Sequence, residues 1–144
     1  MTAHTGLTLA AQHAAVPHAI PGPLTAPFWQ GCAEQTLLFQ RCAACSTADF
    51  PPAEHCRQCL STELGWERSL GQGVVYSWTV VYRAATPVFE TPYAPAIVTL
   101  HEGYQMLTNI IGASTDELRV GMAAQVDFRE VDTGLWLPYF RPAE

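Results

Sequence analysis

The sequence predicts a mainly β protein: an N-terminal helix and a rubredoxin-like zinc ribbon, followed by a C-terminal five-stranded barrel of the OB type. Three observations carry this prediction. Four of the five cysteines fall in two Cys-x-x-Cys pairs, Cys42/Cys45 and Cys56/Cys59, separated by ten residues. From Gly71 onward, five short segments rich in β-branched and aromatic residues alternate with turn residues, which is the pattern of strands. One capping-box turn, Ser114 to Glu117, separates the third segment from the fourth, as in a small Greek-key barrel; an open β-sandwich is the other architecture that fits.

Taken in order, residues 1–26 hold no charged side chain and are broken by Pro17, Pro21 and Pro23. They read as a flexible or partner-bound tail. A secretory leader needs a basic start and an unbroken apolar run, and the tail has neither, so a cytoplasmic location is expected. Residues 27–66 read as helix plus ribbon. "PFWQGCAEQTLLF" is entered at Pro27, where a missing N–H costs nothing, although Gly31 weakens a helix. "LLFQRC" then leads as a strand into the first cysteine turn. Residues 67–144 form the barrel: "GVVYSWTVVYR", "YAPAIVTLHE", "QMLTNIIG", "AAQVDFREVD" and "LWLPYFRPA" are its five strands. Hairpin turns are expected at Gly103 and at Thr133–Gly134. The longest connection, residues 83–96, contains three prolines; loops of this size are commonly functional. With most of the apolar residues, the barrel is expected to outlast the ribbon when metal is withdrawn.

The cysteine spacing decides the chemistry. A two-residue gap lets one tight turn aim two sulfurs at a common centre, and two such turns complete the tetrahedron that Zn²⁺ takes in a closed structural site. A redox pair would open a helix after a strand, whereas "CAACSTADFPP" runs into two prolines. Paired disulfides belong to oxidising compartments. Structural zinc on Cys42, Cys45, Cys56 and Cys59, one ion per chain, is therefore the expected cofactor. Cys32 reads as a small buried residue.

Charge narrows the partners. Seven arginines, no lysine and thirteen acids give a net charge of −6, and thiolates would deepen it. Tracking a phosphate backbone requires clustered cations, so nucleic acid is not an expected partner. No run of eighteen apolar residues exists to cross a membrane. An OB-fold nucleic-acid module remains the alternative function, because Tyr76, Trp78 and Tyr82 alternate along one segment and would offer bases a stacking face. Core packing accounts for the same alternation.

The combination of "PFWQG", "LLFQRC", "CAAC…FPP…CRQC", the "VYSWTVVYR" strand, "TPYAPAIVTLHEG", "RVGMAAQV" and "LPYFRP" resembles the DUF35 family over residues 27–144. The resemblance implies a zinc ribbon joined to an OB fold. It also implies an accessory subunit in a hetero-oligomer, bound to a thiolase-like condensing or retro-aldol enzyme or to a hot-dog-fold acyl-CoA hydratase, with acyl-CoA at the shared interface. No catalytic residue carries over from the family pattern. On this reading the candidate partner contacts are Phe28 and Trp29 on the helix and Val88, Phe89 and Tyr93 on the long loop. Arg83 is the candidate for an acyl-CoA phosphate, with a solvated strand end as the simpler account of it. A stand-alone enzyme would need an acid–base group in a pocket, and His101–Glu102 beside Gly103 reads as an exposed turn.

Overall fold

The computed structural model describes residues 6–144; the first five residues of the predicted tail, His4 among them, lie outside the described residues. One helix and eight strands follow in order: α1 (Ala26–Ala33), β1 (Leu38–Cys42), β2 (Ala48–Asp49), β3 (Leu64–Arg68), β4 (Gln72–Trp78), β5 (Ala94–Leu100), β6 (Gln105–Ile110), β7 (Ala123–Asp132) and β8 (Leu135–Pro142). The first three strands make a small antiparallel sheet in the order β2-β1-β3, and the last five close into a barrel in the order β4-β5-β6-β8-β7. The expected mainly β architecture is thus the one observed.

The helix is shorter than the 27–39 stretch that the sequence favours. It stops at Ala33, and Gln35 takes a left-handed backbone with φ of 58°, so the chain doubles back into β1. Gly31 explains how the return fits. A Cβ at Gly31 would stand 2.7 Å from the Thr36 carbonyl oxygen and 3.1 Å from Leu38 side-chain atoms. Gly31→Ala, which stabilises an ordinary helix by removing glycine's entropy cost, is expected here to destabilise. Overpacking against backbone should cost about 1–3 kcal/mol, roughly 3–9 °C in Tm. A thermal melt that rises instead would show that the turn can yield.

Two further readings change. The capping-box segment is a turn and not a helical one, closed by the Glu117 amide donating to the Ser114 carbonyl at 3.1 Å. The tail is not loose where it is described. Thr8 bridges Ser114, the Leu9 amide donates to Ala113 and the Ala10 amide to Pro92, and Leu9 and Val16 are buried. Gln12 exchanges hydrogen bonds with the Glu90 backbone, which fastens tail to long loop. Backbone pairing holds it, so its uncharged side chains give no sign of it.

One apolar core runs through helix, ribbon and barrel. Phe28, Cys32, Leu37 and Phe39 share it with Val75, Val98, Leu100, Tyr104, Ile110 and Phe140. Phe39 of β1 stacks on Tyr104 of the β5–β6 hairpin with ring centroids 4.8 Å apart, and Phe50 reaches the same ring at 5.9 Å. The join between the two sheets is tied as well. Glu102 accepts hydrogen bonds from the Ser69 hydroxyl and the Leu70 amide, both at 2.7 Å, while the Ser69 amide donates to Leu37. Glu102 is therefore part of the joint and not a free acid.

Candidate metal centre and surroundings

Each Cys-x-x-Cys pair folds into the same turn. The Cys42 amide donates to the Thr47 carbonyl and the Ser46 amide returns to Cys42; the Cys56 amide donates to Ser61 and the Leu60 amide returns to Cys56. The residue after each second cysteine is left-handed, Ser46 at φ 65° and Leu60 at φ 66°. This repeat aims all four sulfurs inward. Their atoms lie within 4.8 Å of one another, with Cys42–Cys59 and Cys45–Cys56 each at 3.6 Å.

A tetrahedron with Zn–S bonds of about 2.3 Å needs sulfurs about 3.8 Å apart, so the set fits zinc. Four donors fill the coordination sphere and leave no position for substrate or water. Hydrogen bonding to Thr47, through its hydroxyl and then its backbone, brings the Cys45 thiol down to about 6. Cys59 moves the other way. A bond to the Ser61 backbone lowers it, but desolvation of its Sγ among the two turns and the neighbouring sulfurs outweigh that and push it up to about 12, although the residue as a whole is exposed. Sulfurs this close ionise together only when a cation neutralises them. Cys32 stands apart: it is fully buried, and burial raises its thiol to about 12, which makes it an inert core residue.

A clamp that the sequence did not reveal holds the second turn. Asp49, buried on β2, accepts from the Arg57 amide and pairs with the Arg57 guanidinium, which also donates to the Pro51 carbonyl. Gln40 grips the Ala53 backbone through both ends of its amide. Arg57 reads in the sequence only as the lone cation of residues 42–66, because its partner is eight residues away.

The candidate contact residues fare unequally. Phe28 is corrected: only 5% exposed, it sits in the core, edge-on to Phe50 at 5.3 Å and to Trp29 at 5.0 Å. The inward face of α1 packs on β1 and β8, so Phe28 is not a surface anchor and borders the outside only as part of the floor of a hollow beside Trp29. Trp29 is half-buried against the same core. Val88, Phe89 and Tyr93 are half-buried; Phe89 and Tyr93 rings lie 5.9 Å apart, and Tyr93 bridges Val81. Arg83 is exposed beside an open hollow of about 480 Å³ shared with Tyr82 and Phe89. No carboxylate pairs with it among the described residues.

The core-packing account of Tyr76, Trp78 and Tyr82 is also overturned, since they are 59%, 38% and 61% exposed. The alternation of β4 runs unbroken through a β-bulge between Val75 and Ser77, with Gln72, Val74, Tyr76 and Trp78 all on the exposed face, and the strand ends at Trp78, five residues before its expected end at Arg83.

Two family models cover most of the chain: the ChsH2 rubredoxin-like zinc ribbon domain over residues 29–65 and the ChsH2 C-terminal OB-fold domain over residues 66–129. A "Probable enoyl-CoA hydratase alpha subunit" of Thermomonospora curvata is 42% identical over 117 residues, 81% of this chain and 37% of that protein. The 3-oxo-4,17-pregnadiene-20-carboxyl-CoA hydratase alpha subunit of Mycobacterium tuberculosis is 32% identical, over 79% of this chain and 37% of its own length. The chain thus spans little more than a third of these curated relatives. A solved structure titled Ltp2-ChsH2(DUF35) aldolase superposes with a TM-score of 0.81 at 36% identity, covering 88% of this chain and all of that one. With both family models matched in order on the ribbon and the barrel, the chain belongs to the ChsH2 zinc-ribbon and OB-fold proteins, the DUF35 family.

Proposed function

We propose that this chain is a non-catalytic accessory subunit of an acyl-CoA-processing enzyme, steadied by one structural zinc on Cys42, Cys45, Cys56 and Cys59. The observation that carries this reading is the match, through ribbon and barrel together, to hydratase alpha subunits and to an aldolase component. The closed sulfur set supports it, since a filled tetrahedron stabilises a fold and activates no water. The partner is a thiolase-like condensing or retro-aldol enzyme or a hot-dog-fold hydratase, in the cytoplasm and serving lipid metabolism. The units are divided as 1–26, 27–66 and 67–144. The acidic balance, −6 with no lysine, favours this function over an OB-fold nucleic-acid module.

Within the complex, Trp29 and the loop bearing Val88, Phe89 and Tyr93 contribute to the partner contact, and Arg83 binds a phosphate of the acyl-CoA. Phe89→Asp puts a charge into that contact while removing little more than one ring pair with Tyr93. It is expected to weaken complex formation about tenfold or more, with zinc content unchanged and a Tm loss equivalent to about 1 kcal/mol. Co-expression with candidate thiolase-like and hydratase enzymes, followed by affinity capture and acyl-CoA turnover assays, tests the whole reading. The complex should form and turn over substrate, and the isolated chain should not. Turnover by the isolated chain would overturn the accessory assignment.

A further inference from the structure

The outward face of β4, β5 and β6 is free of charge and shaped for contact. Leu107, in the middle of β6, is 71% exposed although its strand lies inside a closed barrel wall. A single exposed leucine is unremarkable. Leu107, however, is a ridge between two hollows and lines both of them. One, about 270 Å³, opens between Trp29 of α1 and Leu137–Pro138 of β8. The other, about 260 Å³, lies between Trp78, Pro95 and Ile97. No Asp, Glu, Lys, Arg or His lines either hollow, whereas the hollow beside β7 holds Arg68 and Asp127 and the one at the long loop holds Arg83.

Topology explains the first hollow. β6 and β8 pair only at Ile110↔Phe140, and then the seam opens. Pro138 has no N–H to offer β6, and its carbonyl is met by the Thr108 side chain at 2.8 Å instead of by backbone. The gap is floored by the helix aromatics and not filled to the surface. Asn109 Oδ1 is left buried there without a hydrogen-bond partner. Ser77 and Trp78, just past the bulge in β4, line the second hollow, and Tyr76 beside them in the strand is 59% exposed. A ridge flanked by two apolar hollows has the anatomy of a binding centre, where a few buried apolar side chains carry the affinity.

We infer that this face, centred on Leu107, is where the enzyme subunit of the proposed complex docks; the inference rests on the accessory-subunit reading and specifies its surface. The occupant inserts an apolar side chain on each side of Leu107 and presents an uncharged surface. A phosphate polymer or an anionic lipid surface is disfavoured by the absence of any cation lining either hollow and by the net charge of −6. A separate enzyme subunit is favoured because the curated relatives carry this unit within alpha subunits nearly three times its length, while the solved aldolase chain is matched over all of its length. The described tail meets the barrel at Pro92, Ala113 and the Tyr139 hydroxyl, and none of its residues lines either hollow.

The test uses the full chain. The acyl-CoA-processing enzyme recovered with tagged wild-type protein from its host, and identified by mass spectrometry, is titrated calorimetrically against wild type, Leu107→Glu, Leu107→Thr and Val120→Glu. Val120 is 69% exposed and lines neither hollow. Both Leu107 variants should melt with wild type, because the side chain is already in water. Leu107→Glu should bind at least tenfold more weakly, Leu107→Thr severalfold more weakly, and Val120→Glu like wild type. Undiminished binding by a folded Leu107→Glu, or by Leu107→Thr should the glutamate misfold, overturns the docking surface and leaves the accessory function standing. Wild type that recovers no acyl-CoA enzyme overturns both. A wild-type dimer in solution that Leu107→Glu converts to monomer assigns the face to a second copy and overturns the inference.

Discussion

Replacing Cys56 with serine is expected to abolish metal binding and to weaken the barrel as well as the ribbon. Cys56 is fully buried, and its sulfur stands 3.6 Å from that of Cys45. Loss of one thiolate opens the tetrahedron and leaves the other sulfurs crowded without a cation to neutralise them. In isolated peptides, closed zinc sites contribute about 10–16 kcal/mol of apparent binding free energy. The ribbon sheet has little else: β2 is two residues long, and β1 and β3 are five each. The sequence suggests that the barrel would survive this loss untouched. The structure argues otherwise, because Leu37 and Phe39 of the ribbon are 2% and 0% exposed within the barrel's own core. Elemental analysis should fall from about one zinc per chain to near none, and hydrogen exchange should quicken in β5 and β6 as well as in β1 and β3. Zinc retained by the variant, or a barrel whose exchange and melting are unchanged, would refute the coupling. Strong chelation of wild type should reproduce the variant's behaviour.

What was legible in the sequence is what is written locally. Two cysteine pairs announce their turns because each turn is closed by its own backbone within five residues. The β7–β8 hairpin was readable almost to the residue, since "AAQVDFREVD" and "LWLPYFRPA" flank a turn whose Gly134 sits at φ 76°. Features made by distant parts of the chain were not. The tail is held by amides whose acceptors lie some 80–127 residues away; the helix end is local, but it depends on how closely Thr36 returns over Gly31, which residue type alone does not announce. Which face of β4 turns outward is set by its pairing with β5 and β7, and Tyr82 lies beyond the strand's end; neither leaves a mark in composition, so three exposed aromatics read as core. Phe28 was misplaced for the converse reason. An aromatic near a helix start serves equally as surface or core, and only the position of β8 and Phe50 decides between them. At the candidate metal centre, all four sulfurs were legible and the Asp49–Arg57 clamp was not.

Phe39→Ala is expected to cost about 3–5 kcal/mol, or roughly 10–20 °C in Tm, in a single transition. Phe39 is fully buried, and its ring lies nearly parallel to that of Tyr104, at 22°. Tyr104 in turn meets Phe50, and Phe50 meets Phe28, so one aromatic chain passes from β1 through the barrel hairpin to the helix. Removing the first ring leaves a cavity bounded by both sheets, which neither can close by moving alone. Tyr104→Phe separates packing from polarity. Burial raises the Tyr104 pKa, and its hydroxyl is buried without a hydrogen-bond partner, so the phenylalanine keeps the stack and should change stability by no more than about 1 kcal/mol. Phe39→Ala combined with Tyr104→Ala should cost less than the two added, with a coupling of about 0.5–1.5 kcal/mol. Zinc content should remain that of wild type, because the Cys42 turn is closed by its own hydrogen bonds. Calorimetry that resolves two transitions, with the barrel melting at its original temperature, would show that the stack joins surfaces without joining their folding. A strictly additive double variant would show that the two rings touch without stabilising each other.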